Sequence, residues 1–156
     1  MVANDRVFAV AGSRLVPDAY PGAASLGGIY SAIAAARHRR VLVVGCDMPF
    51  LSTRLLAHLV GLSADFDVVA PRIEGRPEPL HAVYSLACLA AIRPRVEAGR
   101  LKIIAFYEDV RVRYVDEAEL RGIDPELRSF RNVNSPQLVR EALALVAREG
   151  VTALTD

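Results

Sequence analysis

Short runs of apolar residues alternate along the chain with segments of helical periodicity. Residues 41–44 and 68–70 are uninterrupted apolar runs, which are typical of strands buried on both faces of a sheet. Between these runs, Ser52 is predicted to cap a helix over residues 52–62. Strands that alternate with helices predict an α/β fold, a three-layer α/β/α sandwich with a mostly parallel sheet.

The same patterns place the other elements. The predicted strands are residues 14–16, 41–45, 67–71, 81–84 and 110–115. The predicted helices begin at the pair Gly27 and Gly28, at Ser52, near Leu86, and at a cap within residues 132–136, the last of them ending near Gly150. Residues 101–106 fit either a helix or a strand, and residues 74–79 are predicted to form a charged loop.

The composition is that of one globular domain over residues 1–156. The chain has 156 residues, 53% of them hydrophobic, which suits a single sizeable core. No apolar run approaches the roughly 18 residues that a membrane span needs. The net charge of +1 gives no reason to expect nucleic acid as a partner. Cys46 and Cys88 lack metal-binding spacing and indicate a reduced, cytoplasmic compartment.

Asp47 is the strongest candidate for chemistry. It follows the strand at 41–45, and ligands of open α/β sheets bind at the carboxyl ends of the strands. One carboxylate at that edge suits a Mg²⁺ ion that also binds substrate phosphates. The alternative is that Asp47 caps the turn that follows the strand.

Other candidates have structural explanations of similar weight. Asp18 precedes the turn-forming pair Pro21 and Gly22, so it is equally well explained as a turn residue. Gly27 and Gly28 leave room for a ligand to approach a helix, but paired glycines are also common in loops. Asn132 and Asn134 offer donors and acceptors ahead of the last helix, and either Asn134 or Ser135 is predicted to be its cap.

Several sequence blocks together resemble one known family. Residues 46–51, Cys-Asp-Met-Pro-Phe-Leu, resemble the metal-binding strand end of the molybdenum cofactor guanylyltransferases. Residues 16–22 and 26–32 are similar to the segment of that family that contacts the nucleotide base, and residues 79–84 are similar to its Pro-His-Tyr strand. Residues 132–136, Asn-Val-Asn-Ser-Pro, resemble its Asn-x-Asn-Thr-Pro motif. The order and spacing of the blocks agree with the family over nearly the whole chain.

The resemblance implies a fold, a reaction and a set of site residues. The implied fold is the Rossmann-like fold of nucleotide-diphospho-sugar transferases. The implied reaction transfers GMP from GTP to molybdopterin with Mg²⁺, and the implied partners include molybdoenzymes or their chaperones and further copies of the chain. Asp47 is implied to be catalytic and to bind the metal. The implied nucleotide-binding residues are Asn4, Asp18, Leu26, Gly27 and Asp47. The implied molybdopterin-binding residues are His81, Arg100, Lys102, Asn132 and Asn134.

The chain also departs from the family pattern. The family opens with a strand and a Gly-rich loop that holds the nucleotide triphosphate, and this sequence has no such loop. Residues 1–4 are similar to the end of the family's second strand, so we expect roughly the first 50 residues of a domain of ~200 residues to be missing. We therefore expect weak triphosphate binding. We also expect a gap beside the strand that carries Asp47, its closure by a rearranged or partner strand, or low stability.

Two other functions fit the same residues. One is a related enzyme that transfers a cytidylyl or sugar-phosphate group. The other belongs to a different class, a non-catalytic protein that binds a pterin or a partner subunit, and the missing triphosphate loop favours it. The blocks at 46–51 and 132–136 favour the guanylyltransferase.

Overall fold

A five-stranded sheet forms the middle of the computed structural model, which describes Val2 and residues 13–149. The strands are β1 Arg40–Val44, β2 Val68–Ile73, β3 Arg76–Pro77, β4 His81–Ser85 and β5 Val112–Asp116. The α-helices are α1 Ala24–Ala34, α2 Thr53–Gly61, α3 Cys88–Glu97, α4 Glu117–Arg121 and α5 Pro136–Glu149. Short 3-10 turns cover Leu62–Ala64, Ile103–Asp109 and Arg128–Phe130. In residues 13–149 no helix combines the length and the apolar character that crossing a membrane requires.

The sheet has the order β1-β4-β2-β3, and β5 also pairs with β2. β4 runs antiparallel to both β1 and β2, with Val44 opposite His81, whereas β5 is parallel to β2. β1, β2 and β5 therefore point the same way and β4 is reversed. Among the described strands the pairing is mixed, so the mostly parallel character expected of the sheet is not confirmed for this part of the chain.

The reversal begins at the tight turn between β2 and β3. Glu74 and Gly75 both have positive φ angles, 49° and 77°. Two consecutive positive φ values are the geometry of a two-residue hairpin turn that matches the twist of the flanking strands. A hairpin makes its two strands antiparallel, and the chain then returns as β4. The predicted charged loop at 74–79 is therefore a hairpin with the short strand β3.

Side chains of the sheet alternate between two hydrophobic cores. Val68 and Ala70 of β2 pack with α1 and α3 on one face, and Val69 between them packs with α2 and α4 on the other. Leu26, Ile33, Leu55 and Leu59 of the covering helices are fully buried. Helices therefore cover both faces of the sheet, which confirms the three-layer α/β/α arrangement.

Several elements differ from their predicted bounds. α1 begins at Ala24, so Gly27 lies inside the helix rather than at its start. A Cβ atom at Gly27 would lie 2.8 Å from the Cβ of Ala23 and 3.0 Å from the carbonyl oxygen of Tyr20, so the glycine lets the preceding loop pack on the helix. Among the described residues, the segment predicted as a strand at 14–16 contributes an isolated parallel bridge between Val2 and Val16.

The other differences concern the chain after β4. The ambiguous segment at 101–106 forms part of the 3-10 turn Ile103–Asp109, and α4 was not predicted.

β1 pairs with β4, and no other strand in the described part of the chain lies along its second edge. The expected gap beside β1 stays a prediction, because residues that bear on it lie outside the described ranges.

Candidate functional site

The loop between β1 and α2 holds Asp47 directly beyond the end of a strand. Asp47 is half-buried, and Met48 donates its backbone N–H to the carbonyl oxygen of Gly45 at 3.3 Å. A Cβ atom at Gly45 would lie 2.6 Å from Oδ1 of Asp47, so the carboxylate folds back over a position that has no side chain. Within residues 13–149, no hydrogen bond to this carboxylate is formed. The turn-capping alternative for Asp47 therefore has no support here.

Ser52 ends this loop and starts α2. Its hydroxyl accepts the backbone N–H of Leu55 at 3.3 Å, as a helix N-cap does. This contact confirms the predicted unit of strand, acidic turn and capped helix. Leu55 is fully buried, so the cap holds a helix that is anchored in the core.

A segment from the distant end of the described chain lies against the Asp47 loop. Val133 donates its backbone N–H to the carbonyl oxygen of Asp47 at 2.7 Å, and Ser52 donates its backbone N–H to the Ser129 hydroxyl at 3.1 Å. Asn132 and Asn134 flank Val133 and are exposed. The structure therefore brings the predicted residues Asp47, Asn132 and Asn134 into one site.

The start of α5 resolves one alternative. The Ser135 hydroxyl accepts the backbone N–H of Leu138 at 3.2 Å, so Ser135 is the residue that caps α5. Asn134 is thus not needed for that role. The amides of Asn132 and Asn134 stand on the surface beside the Asp47 loop.

The predicted nucleotide-binding residues on the N-terminal side have structural roles. Oδ1 of Asp18 accepts the Ser31 hydroxyl at 2.8 Å and the backbone N–H of Tyr20 at 3.1 Å, which is the turn-forming alternative. The Leu26 side chain is fully buried, so only its backbone is left for contact with a nucleotide. Gly27 packs against this turn. Asn4 lies outside the described residues.

His81 begins β4 and is fully buried. Its ring lies 4.6 Å from the ring of Phe130, centroid to centroid, and in the described part of the chain neither ring nitrogen has a hydrogen-bond partner. Burial lowers the pKa of His81 to about 4, although the nearby Asp124 carboxylate opposes the shift. The imidazole is therefore neutral at neutral pH and lies behind Phe130, out of reach of a ligand in this conformation.

Arg100 and Lys102 follow α3 and are exposed. No hydrogen bond or ion pair joins either side chain to Asp47 or to residues 132–134 within the described ranges. The structure therefore does not bring these two predicted cations to the Asp47 site through direct contacts.

The Asp47 carboxylate suits a metal ion that takes part of its ligands from the substrate. Residues 13–149 hold no group of three or more His, Cys, Asp or Glu side chains that could bind a metal alone. Mg²⁺ typically takes one or two protein carboxylates together with waters and substrate phosphates. The Asp47 carboxylate is a hard oxygen ligand without a hydrogen-bond partner among residues 13–149, so it fits such an ion.

Three residues of the site were not singled out from the sequence. Asp124 accepts the backbone N–H of Ser129, the Ser129 hydroxyl accepts that of Ser52, and the Phe130 ring lies against His81. The available signal is Asp124-Pro125, a pair that favours turns. It does not reveal which distant segment the turn will contact.

Comparisons with known proteins agree on one family. The model of the MobA-like NTP transferase domain matches residues 1–112. The chain is 42% identical over 125 residues to a probable molybdenum cofactor guanylyltransferase of Pelotomaculum thermopropionicum, covering 80% of this chain and 61% of that protein. It is 37% identical over 133 residues to the molybdenum cofactor guanylyltransferase of Desulfosudis oleivorans, covering 85% and 66%. The chain thus spans less than two thirds of the length of these relatives.

A solved structure shares the fold. Molybdopterin-guanine dinucleotide biosynthesis protein A from Archaeoglobus fulgidus superimposes with a TM-score of 0.76 at 30% identity. The match covers 87% of this chain and 69% of that one. This similarity extends the agreement from sequence to three-dimensional structure.

Proposed function

Because the chain belongs to the MobA-like NTP transferase family, we propose that it acts in molybdenum cofactor biosynthesis, transferring GMP from GTP to the phosphate of molybdopterin and releasing pyrophosphate. The names of its relatives support this reaction. One observation of the structure carries the proposal. Asp47 follows β1, its carboxylate has no hydrogen-bond partner among residues 13–149, and its backbone carbonyl accepts the N–H of Val133 in the segment that bears Asn132 and Asn134.

Asp47 is proposed to hold Mg²⁺ together with the phosphates of GTP. Nucleotidyl transfer depends mostly on positioning and on neutralising phosphate charge. When bound, the ion supplies that neutralisation. The contribution of the chain is a half-buried carboxylate at a strand end, kept over Gly45 by the absence of a side chain there.

Asn132 and Asn134 are proposed to orient molybdopterin. Each amide offers a carbonyl acceptor and two N–H donors, which match the donors and acceptors along a pterin edge. Their exposure beside Asp47 supports this role. Contact between molybdopterin and His81 would require Phe130 to move, and roles for Arg100 and Lys102 stay predictions.

Calorimetry with GTP and Mg²⁺ on this chain tests the proposal, with Asp47→Ala as the variant. Asp65→Asn is the matched control, because Asp65 is exposed and precedes β2, at the end of the sheet remote from Asp47. We expect Asp47→Ala to weaken Mg²⁺-dependent GTP binding by at least about tenfold, the loss of roughly one charged contact. Asp65→Asn should bind like the wild type.

The same titrations separate the alternatives. Equal GTP affinity in Asp47→Ala and the wild type would refute the role of Asp47. Tighter binding of CTP than of GTP would favour cytidylyl transfer. Pyrophosphate release that depends on molybdopterin, GTP and Mg²⁺ together would distinguish the enzyme from a non-catalytic pterin-binding protein.

A further inference from the structure

A buried carboxylate lies beneath the segment that reaches the Asp47 loop. Asp124 is 8% exposed, and its oxygens accept the backbone N–H of Arg128 at 3.1 Å and that of Ser129 at 2.9 Å. Both donors belong to the 3-10 turn Arg128–Phe130. Burial raises the pKa of Asp124, but the hydrogen bonds from Ser129 and Arg128 outweigh it and leave the pKa below its ordinary value. Asp124 is therefore ionised at neutral pH and fixes the shape of this turn.

Ser129 connects Asp124 to the Asp47 loop. Ser129 is fully buried; its backbone N–H donates to the Asp124 carboxylate at 2.9 Å, and its hydroxyl accepts the backbone N–H of Ser52 at 3.1 Å. Ser129 thus links the Asp124 carboxylate to the Ser52 backbone through two hydrogen bonds, one from its backbone and one to its hydroxyl.

A second contact completes the attachment. Val133 donates to the carbonyl oxygen of Asp47 at 2.7 Å, four residues beyond the bond from Ser52 to Ser129. Residues 129–133 therefore lie alongside residues 47–52 in the opposite direction and are bonded at both ends. Asn132 and Asn134 flank the second bond, so their location depends on where this segment lies.

We propose that Asp124 is a positioning residue of the nucleotidyl-transfer site, which sets where Asn132 and Asn134 stand relative to Asp47. The inference rests on the proposed function for its kinetic consequence only. In this proposal Asp124 does not contact the substrate. It acts through Ser129 and the backbone of residues 129–133. The competing explanation is that Asp124 serves stability alone, by shaping its own turn and facing His81.

Amide hydrogen exchange tests the positioning directly, without nucleotide. For each variant, the exchange rates are corrected for the change in global stability. In Asp124→Ala, we expect the corrected exchange rates of the Val133 and Ser52 backbone amides to rise about tenfold, which corresponds to the loss of about one hydrogen bond. Ser129→Ala removes only the link and should give the same result if Asp124→Ala does not fold. The control is Asp67→Asn, since Asp67 also anchors a backbone N–H, that of Arg111 at 3.1 Å, at the opposite end of the sheet. It should lower global stability and leave the corrected exchange of Val133 unchanged.

Steady-state kinetics of the same variants separate positioning from stability. Displacement of the asparagines should raise the KM for molybdopterin and lower kcat, together by about tenfold to a hundredfold in kcat/KM, and should change the KM for GTP less than about twofold. A variant that is merely less stable loses active protein and leaves both KM values unchanged. Asp67→Asn is again the matched control, because it alters a backbone anchor at the opposite end of the sheet, and it should leave both KM values unchanged.

Each outcome decides the inference. Faster corrected exchange together with a raised KM for molybdopterin supports it. Unchanged corrected exchange of Val133 overturns it, as does faster exchange with both KM values unchanged. If the wild type transfers no GMP, the proposed function fails, and the exchange result alone decides whether Asp124 places the segment.

Discussion

Replacing Gly45 by alanine should damage the site while leaving the fold intact. A Cβ atom at this position would lie 2.6 Å from Oδ1 of Asp47, whereas ordinary contacts begin at 3.4 Å, so the carboxylate must retreat by about 0.8 Å (3.4 minus 2.6). The clashing atom is the end of a flexible side chain, which can rotate away at little cost in folding free energy. Mg²⁺ requires near-ideal ligand geometry, and a displacement of about 1 Å can cost on the order of a hundredfold in function.

We therefore expect Gly45→Ala to weaken Mg²⁺-dependent GTP binding by about tenfold or more, measured by calorimetry, with a change of less than about 1 kcal/mol in the free energy of unfolding. Gly61→Ala is the matched control, because a Cβ atom there meets no atom within 4 Å and the residue is helical. It should keep GTP binding and stabilise the chain by up to about 1 kcal/mol. Wild-type affinity in Gly45→Ala would refute the argument that the position of the carboxylate matters.

Two further predictions concern stability. The pKa of His81 in the folded chain is about 4, below the ordinary 6.5, so the neutral imidazole supports folding fully above pH 6.5. This contribution to the free energy of unfolding is about 3 kcal/mol, at about 1.4 kcal/mol per unit of pKa difference, and it is lost as the pH falls to 4. Urea midpoints between pH 7 and pH 4.5 should therefore fall more steeply for the wild type than for His81→Leu, and parallel slopes would contradict the assignment. Leu59→Ala should cost about 2–5 kcal/mol, because Leu59 is fully buried, whereas Val60→Ala, at a side chain 45% exposed, should cost less than about 1 kcal/mol in thermal unfolding.

The parts of the fold that depend on local sequence were predictable. β1, the Ser52 cap and α2 follow from an apolar run, a capping residue and a helical stripe that are adjacent in the chain. The direction of β4 was not predictable in this way, because the hairpin turn uses Glu74 and Gly75 rather than the Asn-Gly or Asp-Gly pairs that mark such turns most strongly. The position of Gly27 inside α1 was not predictable, because its packing partner, the loop at Tyr20, is a tertiary contact.

The same distinction between local sequence and long-range contacts applies to the candidate site. Asp47 could be found from its place after a strand, and the resemblance brought in Asn132 and Asn134. The sequence contains no local signal that Ser129 will accept a hydrogen bond from Ser52, since the two residues are 77 positions apart. The burial of His81 behind Phe130 depends likewise on where the chain returns after α4.

The bond between Ser52 and Ser129 also has a consequence for the order in which the molecule folds. Joining two points 77 residues apart costs about 4 kcal/mol in loop-closure entropy, and contacts of such long range form slowly. β1 and α2 are neighbours in the sequence, but the Asp47 loop between them makes its contacts with residues 129–133, which are synthesised much later. We therefore expect the Asp47 loop and the segment at 129–133 to come together late in folding, after the residues around Asp47 have been synthesised.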